Sequence, residues 1–162
     1  MLGTFLGATA MKPPGQGRCD SAWCWGNATW LTIEAKSEEY ADGLLPLKDI
    51  RQANTQLDHL AADKGVDNAP AGSAAIVVSD RLTVAPEAAP VANANVYLAS
   101  TDVVRQIAGD AEAVWSDLLA AAATLGPVHI FRRHVKDVLT ENGCLPTQVL
   151  DRLMKDRIRP GD

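Results

Sequence analysis

Apolar positions along this chain change period several times, and each change predicts an element. Residues 29–37 (TWLTIEAKS) carry β-branched and aromatic residues in a strand pattern. Side chains alternate across a strand, so Trp30, Thr32, Glu34 and Lys36 share one face and Leu31, Ile33 and Ala35 the other. Residues 19–25 predict a preceding strand, and the turn residues Gly26-Asn27-Ala28 join the two as a hairpin. Residues 47–64 switch to the helical period. Ile50, Ala53, Leu57, Leu60 and Ala61 form a stripe that stops before Gly65, a suitable C-cap. Residues 73–82 open with the apolar run of a strand buried on both faces, and 95–100 predict another short strand. Thr101 reads as the N-cap of a helix over 102–125, with Val103, Val104, Ile107, Ala111, Val114, Trp115 and Leu118 in its core stripe and Gly109 as a break or kink. Two further helices, 128–141 and 146–157, set Phe131, Val135, Val138 and Leu139 against Leu145, Val149, Leu150 and Leu153 as an αα-hairpin.

The remaining stretches punctuate these elements. Leu2, Phe5, Leu6 and Thr9 fall at helical spacing, so residues 1–11 read as the end of a helix whose front is missing. Residues 12–17, 38–46 and 66–72 read as loops, and 83–95, rich in Ala and Pro, as an irregular excursion. A helix between two strands implies a crossover. The expected fold class is therefore α/β, a mixed sheet flanked by helices. The expected division is a core over residues 1–126 and a helical hairpin over 127–162, packed on the core or appended to it.

The charges in the second strand point to chemistry. Burying either Glu34 or Lys36 alone would be costly, so the two should face each other, a metal or a cleft. Asp20, on the preceding strand, would bring a second carboxylate across the turn. Hard divalent cations take oxygen ligands, often one or two carboxylates completed by water and phosphate. The pattern therefore reads as a divalent-metal site with Asp20, Glu34 and the backbone carbonyl of Ala35 as ligands. Lys36 would orient or help deprotonate an attacking water and stabilise charge on a phosphate. The blander reading is an ion pair that merely holds the hairpin together. Gln52, Gln56 and His59 line up beside the apolar stripe of the following helix, either solvated or turned toward that site.

Asp20 followed by Glu34-Ala35-Lys36 at the end of an apolar strand resembles the PD-(D/E)XK, or restriction-endonuclease-like, nucleases. The resemblance covers roughly residues 1–115. It implies an αβββαβ core and a site in which Asp20 and Glu34 bind magnesium or manganese. Lys36 would then act on water, and a glutamine of the next helix would assist, Gln52 first and Gln56 second. It further implies in-line hydrolysis of phosphodiester bonds in nucleic acid, with DNA as the expected substrate, by an endo- or exonuclease that works alone, as a homodimer or with a helicase-type partner. Two departures stand out. Cys19 occupies a position where the family often has Pro, and residues 1–17 hold no carboxylate, whereas many members add a Glu from the first helix. The alternatives are an inactive nuclease-like module that binds nucleic acid or protein, and a structural α/β domain in which Glu-x-Lys is accidental.

Composition adds constraints. The 162 residues are 47% hydrophobic and 22% charged, suited to a globular core. A net charge of −5 runs against phosphate binding, which Lys and Arg drive, but carboxylates that hold a cation contribute part of that charge. Arg132, Arg133, Lys136, Arg152, Lys155, Arg157 and Arg159 make the tail the expected phosphate- or partner-facing part, with Lys12 and Arg18 as further candidates. Three cysteines in no metal-ligand spacing, with no secretory signal, point to a reducing cytoplasm. Cys19 and Cys24 would fall on opposite faces of one strand, against a disulfide between them. No apolar run reaches the length of a membrane span. There is no internal repeat, phosphate-binding glycine loop, zinc spacing or serine-hydrolase elbow.

Overall fold

The computed structural model describes residues 2–37, 42–124 and 126–158. A one-turn helix, α1 (Leu2–Phe5), leads into three antiparallel strands, β1 (Thr9–Met11), β2 (Ser21–Trp25) and β3 (Thr29–Ala35). The helix expected over 1–11 therefore ends early. Gly7, at φ 79°, turns the chain out of the helix, and Thr9–Met11 pairs with β2. Gly3 lies flat against the Trp23 ring, where a Cβ would come within 2.7 Å of it, so only glycine allows this approach. The hairpin turn falls at Gly26-Asn27-Ala28, with Trp25 opposite Thr29.

A two-residue strand, β4 (Leu44–Leu45), precedes α2 (Leu47–Asp63), and residues 38–41 of the expected polar loop lie outside the described residues. Helix α2 buries Ile50, Ala53, Leu57, Leu60 and Ala61, as its period predicts. It closes with Gly65 N–H on Ala62 O and Val66 N–H on Ala61 O, the paired bonds that a left-handed glycine makes possible. The chain then enters β5 (Ala74–Val78), buried along its whole length between β3 and the later strand Val96–Ala99, and parallel to both. Within the expected excursion, β6 (Thr83–Val84) pairs with β4, and a 3₁₀ turn spans Ala89–Val91. Such two-residue pairings are too short to leave a period in the sequence.

Strand β7 (Val96–Ala99) feeds α3 (Thr101–Ala122). Ser100 caps this helix, its hydroxyl accepting from Val103 N–H, while the Thr101 hydroxyl is bonded to Asp80. The helix runs through Gly109 without a break. Trp115 is partly exposed, stacked edge-on against Phe5 and donating its indole N–H to Phe5 O, so it clasps α1 at the surface instead of filling the core. Helix α4 (Val128–Glu141) follows its expected bounds, but α5 (Pro146–Leu153) stops short of them. Asp156 and Arg157 form β8, an antiparallel edge strand on β7.

The six-stranded sheet has the order β1-β2-β3-β5-β7-β8, and helices flank it, so the protein is α/β with a mixed sheet. Alternation sorts its faces. Trp30, Ala75, Val77, Val96 and Leu98 belong to clusters completed by α2. Leu31, Ile33, Ile76, Tyr97 and Ala99 pack with Ile107, Ala111 and Val114 of α3, Val138 of α4, and Val149 and Leu153 of α5. Each fully buried Leu or Ile contributes about 1.5–3 kcal/mol of transfer free energy. Cys19 precedes β2 instead of lying in it, so Cys19 and Cys24 join the same cluster under α2, and both remain unbridged thiols. Burial pushes the Cys19 thiol up to about 11 and raises that of Cys24, which keeps both protonated and unreactive. No helix among the described residues is long and apolar enough to cross a membrane.

Candidate active site

Strand β3 ends where its parallel neighbour ends. Glu34 and Ala35 pair with Val77 and Val78, and Lys36 N–H donates to Val78 O at 2.8 Å just beyond the strand. This fixes the backbone on both sides of Glu34. The side chain of Glu34 shares the face of Trp30 and Thr32, the face covered by α2, and the residue is 7% exposed. The rest of the cluster comes from the first two turns of that helix.

The Lys36 ammonium meets three acceptors: Glu34 Oε1 at 3.1 Å, Asp49 Oδ1 at 3.2 Å and Gln52 Oε1 at 3.3 Å. Gln52 Nε2 also donates to Glu34 Oε1, at 2.6 Å. Gln52 thus gives its carbonyl to the cation and its amide to the carboxylate, which fixes its orientation. Glu34 Oε2 is buried and has no partner among the described residues. A buried acceptor normally finds a donor, water or ion, so this oxygen is the most anomalous atom of the cluster.

Asp20 stands at the head of β2. Its N–H donates to Ile33 O at 3.0 Å, and its carboxylate Oδ2 accepts from Ala35 N–H at 2.9 Å. The two carboxylates expected to converge therefore lie on neighbouring strand ends, with Asp20 close enough for its charge to act on Glu34. Burial raises the Glu34 pKa, the Lys36 hydrogen bond and charge pull it down, and Asp20 and Asp49 push it up, for a net rise. Burial lowers that of Lys36, but the bonds and charges of Glu34 and Asp49 outweigh it, so Lys36 is held above its ordinary value. As held here, Lys36 is a charged donor and a poor base, which favours orienting and charge-stabilising work over deprotonation.

The remaining candidates separate. Gln56 is buried one helical turn on and donates to Gly17 O at 2.9 Å, tying α2 to the loop that delivers Asp20. His59 is half-buried, and among the described residues no bond joins it to Glu34, Lys36 or Gln52. Lys12 is exposed, and Arg18 is paired with Asp63 at 2.8 Å. In the tail, Arg152 is paired with Asp110 and Arg157 packs on Tyr97, while Arg132, Arg133 and Lys136 lie on α4, across the sheet from Glu34. Arg159 lies outside the described residues. Sequence reasoning missed Asp49. It lies three residues before Gln52, one turn away on the same side of α2, a placement that any ordinary first-turn Asp could share.

The donor set fits a hard divalent cation. Among the described residues no three His, Cys, Asp or Glu gather as a self-sufficient metal cage. Two carboxylates at neighbouring strand ends, with Asp20 exposed, instead match a cation that keeps water or phosphate oxygens in its shell. Charge agrees: Asp20 and Asp49 both act on Glu34, and Lys36 answers only Glu34 and Asp49, so the three carboxylates exceed the one ammonium by two negative charges, which a single divalent ion would neutralise. No protein-family model, curated protein or solved structure matches this chain.

Proposed function

We propose that the protein is a metal-dependent nuclease of the restriction-endonuclease-like class, hydrolysing phosphodiester bonds in nucleic acid, with DNA as its substrate. The observation that carries this reading is the partnerless Glu34 Oε2, buried beside Lys36 and Gln52 with Asp20 at the neighbouring strand end. The order of elements supports it: apart from the two-residue β4, which belongs to a separate small sheet, a helix, three antiparallel strands, a helix and a parallel strand follow one another as in an αβββαβ succession.

In this reading Asp20, Glu34 and the Ala35 carbonyl hold magnesium or manganese. The bound ion would supply positive charge to the phosphate oxygens and lower the pKa of a bound water. Gln52 holds Glu34 Oε1, and Oε2, which has no partner among the described residues, would be the oxygen that takes the ion. Lys36 orients the attacking water and offers positive charge as negative charge builds on the phosphate. The water oxygen bonds to phosphorus, the phosphorus–oxygen bond to the leaving sugar oxygen breaks in line, the water proton passes to solvent, and the leaving oxygen takes up a proton from solvent.

The test is incubation with single- and double-stranded DNA, with manganese or EDTA, beside Glu34→Ala and Lys36→Ala. Cleavage that needs the metal and both side chains is expected. Equal cleavage by both variants refutes the reading. Manganese binding without cleavage would point to the non-cutting module.

A further inference from the structure

We infer that Asp49 is a positioning residue for Lys36, the anchor that keeps the ammonium in place when Glu34 carries a cation. The kinetic consequence rests on the nuclease reading above, but the geometry does not. Two of the three acceptors of Lys36, Glu34 and Gln52, are bonded to each other, and Glu34 Oε1 serves both Gln52 and Lys36. A divalent ion on Oε2 would place a second positive charge on the same carboxylate. Like charges sharing one carboxylate repel, so Lys36 would be driven off unless another anion held it. Asp49 is that anion, 3.2 Å from Nζ and on a different element from Glu34.

The placement of Asp49 is rigid and its charge is supported. It sits in the first turn of α2, where the positive end of the helix dipole favours a carboxylate. Its neighbour Ile50 and, one turn on, Ala53 are locked into the core beneath β5 and β7. The same stretch of α2 thus delivers both Asp49 and Gln52 to one ammonium. A surface Asp paired with a mobile lysine would do nothing of this kind, but both side chains here are only 16% exposed.

The test uses the full chain, ¹⁵N-labelled, as wild type, Asp49→Asn and Asp49→Glu. The readouts are the Lys36 ammonium ¹⁵N cross-peak, identified by its loss in Lys36→Met, with and without magnesium, and kcat and KM for DNA. A held ammonium exchanges slowly enough to give this signal, and Asn keeps the volume of Asp without its charge. The cross-peak is expected to persist in wild type and in Asp49→Glu with magnesium, and to vanish in Asp49→Asn. Loss of alignment should lower kcat about 100-fold. KM should move less than about threefold, because ground-state binding is untouched. An unchanged cross-peak in Asp49→Asn with magnesium overturns the proposal, as does a KM rise with kcat unchanged. Wild type that neither binds magnesium nor cleaves DNA would instead overturn the nuclease reading. Without magnesium the cross-peak is expected in Asp49→Asn as well, because Glu34 and Gln52 still hold Lys36 there, and its loss in that metal-free spectrum would overturn the claim that Asp49 is needed only once Glu34 carries a cation.

Discussion

Replacing Lys36 by Met keeps most of the side-chain stem and removes the charge on which the cluster turns. The Lys36, Glu34 and Asp49 side chains are 16%, 9% and 16% exposed. Breaking a buried ion pair by deleting one partner costs about 3–5 kcal/mol, and the residual exposure puts this site at the lower end, about 3 kcal/mol at pH 7. Glu34 limits the damage by taking up a proton. Its pKa is already raised by burial, and loss of the Lys36 bond and charge, which pull it down, raises it further. A folded acid with a raised pKa binds more protons than the unfolded chain, so stability grows as pH falls through the folded value toward the ordinary 4.5. The deficit of Lys36→Met therefore shrinks between pH 7 and pH 5, by at most about 1.4 kcal/mol per unit for one proton. In wild type, Lys36 works with the opposite reference. Its raised pKa gives stability that is complete below 10.5 and is lost only as pH rises through the folded value. Urea unfolding at both pH values reads the effect, since a slope of about 1–3 kcal/mol per molar turns 3 kcal/mol into a midpoint drop of about 1–3 M. Adding Glu34→Gln to Lys36→Met should recover most of it, because the carboxamide carries no charge. A Lys36→Met midpoint within about 0.2 M of wild type at pH 7, below the shift this slope requires, would refute the buried-cluster reasoning.

Two other outcomes follow. Manganese must displace the proton that the raised pKa of Glu34 retains, so its affinity, measured by calorimetry, should weaken about tenfold per pH unit below that pKa, with proton release visible as buffer-dependent heat. Affinity that survives in Glu34→Gln would show that Glu34 is not a ligand. For DNA, Lys48 and Arg51 are exposed on α2 beside Asp49 and Gln52, so each alanine substitution should lower the salt slope of binding by about 0.9. An unchanged slope in both variants would place the phosphates elsewhere.

The hairpin was legible from its turn residues Gly26-Asn27-Ala28 and its β-branched and aromatic run, and the period of two assigned Glu34 and Lys36 to one face even though β2 and β3 are buried on both. Gln52 was legible as part of a polar stripe running beside an apolar one on α2. Asp49 was not, because a lone Asp in a first helical turn is ordinary dipole complementation and carries no sign of what it faces. The short pieces β1, β4, β6 and β8 were hidden for a different reason. Two or three residues cannot display a period, and their pairing is decided by neighbours far away in sequence, as when Asp156 and Arg157 meet Leu98 and Tyr97. The cap of α3 falls one residue before the expected one: Ser100 is the extended residue whose hydroxyl takes the helix N–H, while Thr101 is already the first helical residue and bonds Asp80 instead.

The acidic balance of the chain takes on a different meaning once the charges are placed. A divalent ion at Glu34 would offset two of the five net negative charges at the point where a phosphate would arrive. Arg18 and Arg152 are engaged by Asp63 and Asp110, so they already answer internal carboxylates. The cations of α4 stand on the far side of the sheet, and a backbone lying along them would be separated from Glu34 by the strands themselves. A nucleic acid reaching Glu34 would instead approach over the first half of α2. There the site presents three carboxylates until a cation neutralises their excess, so DNA binding itself, and not cleavage alone, should require the metal.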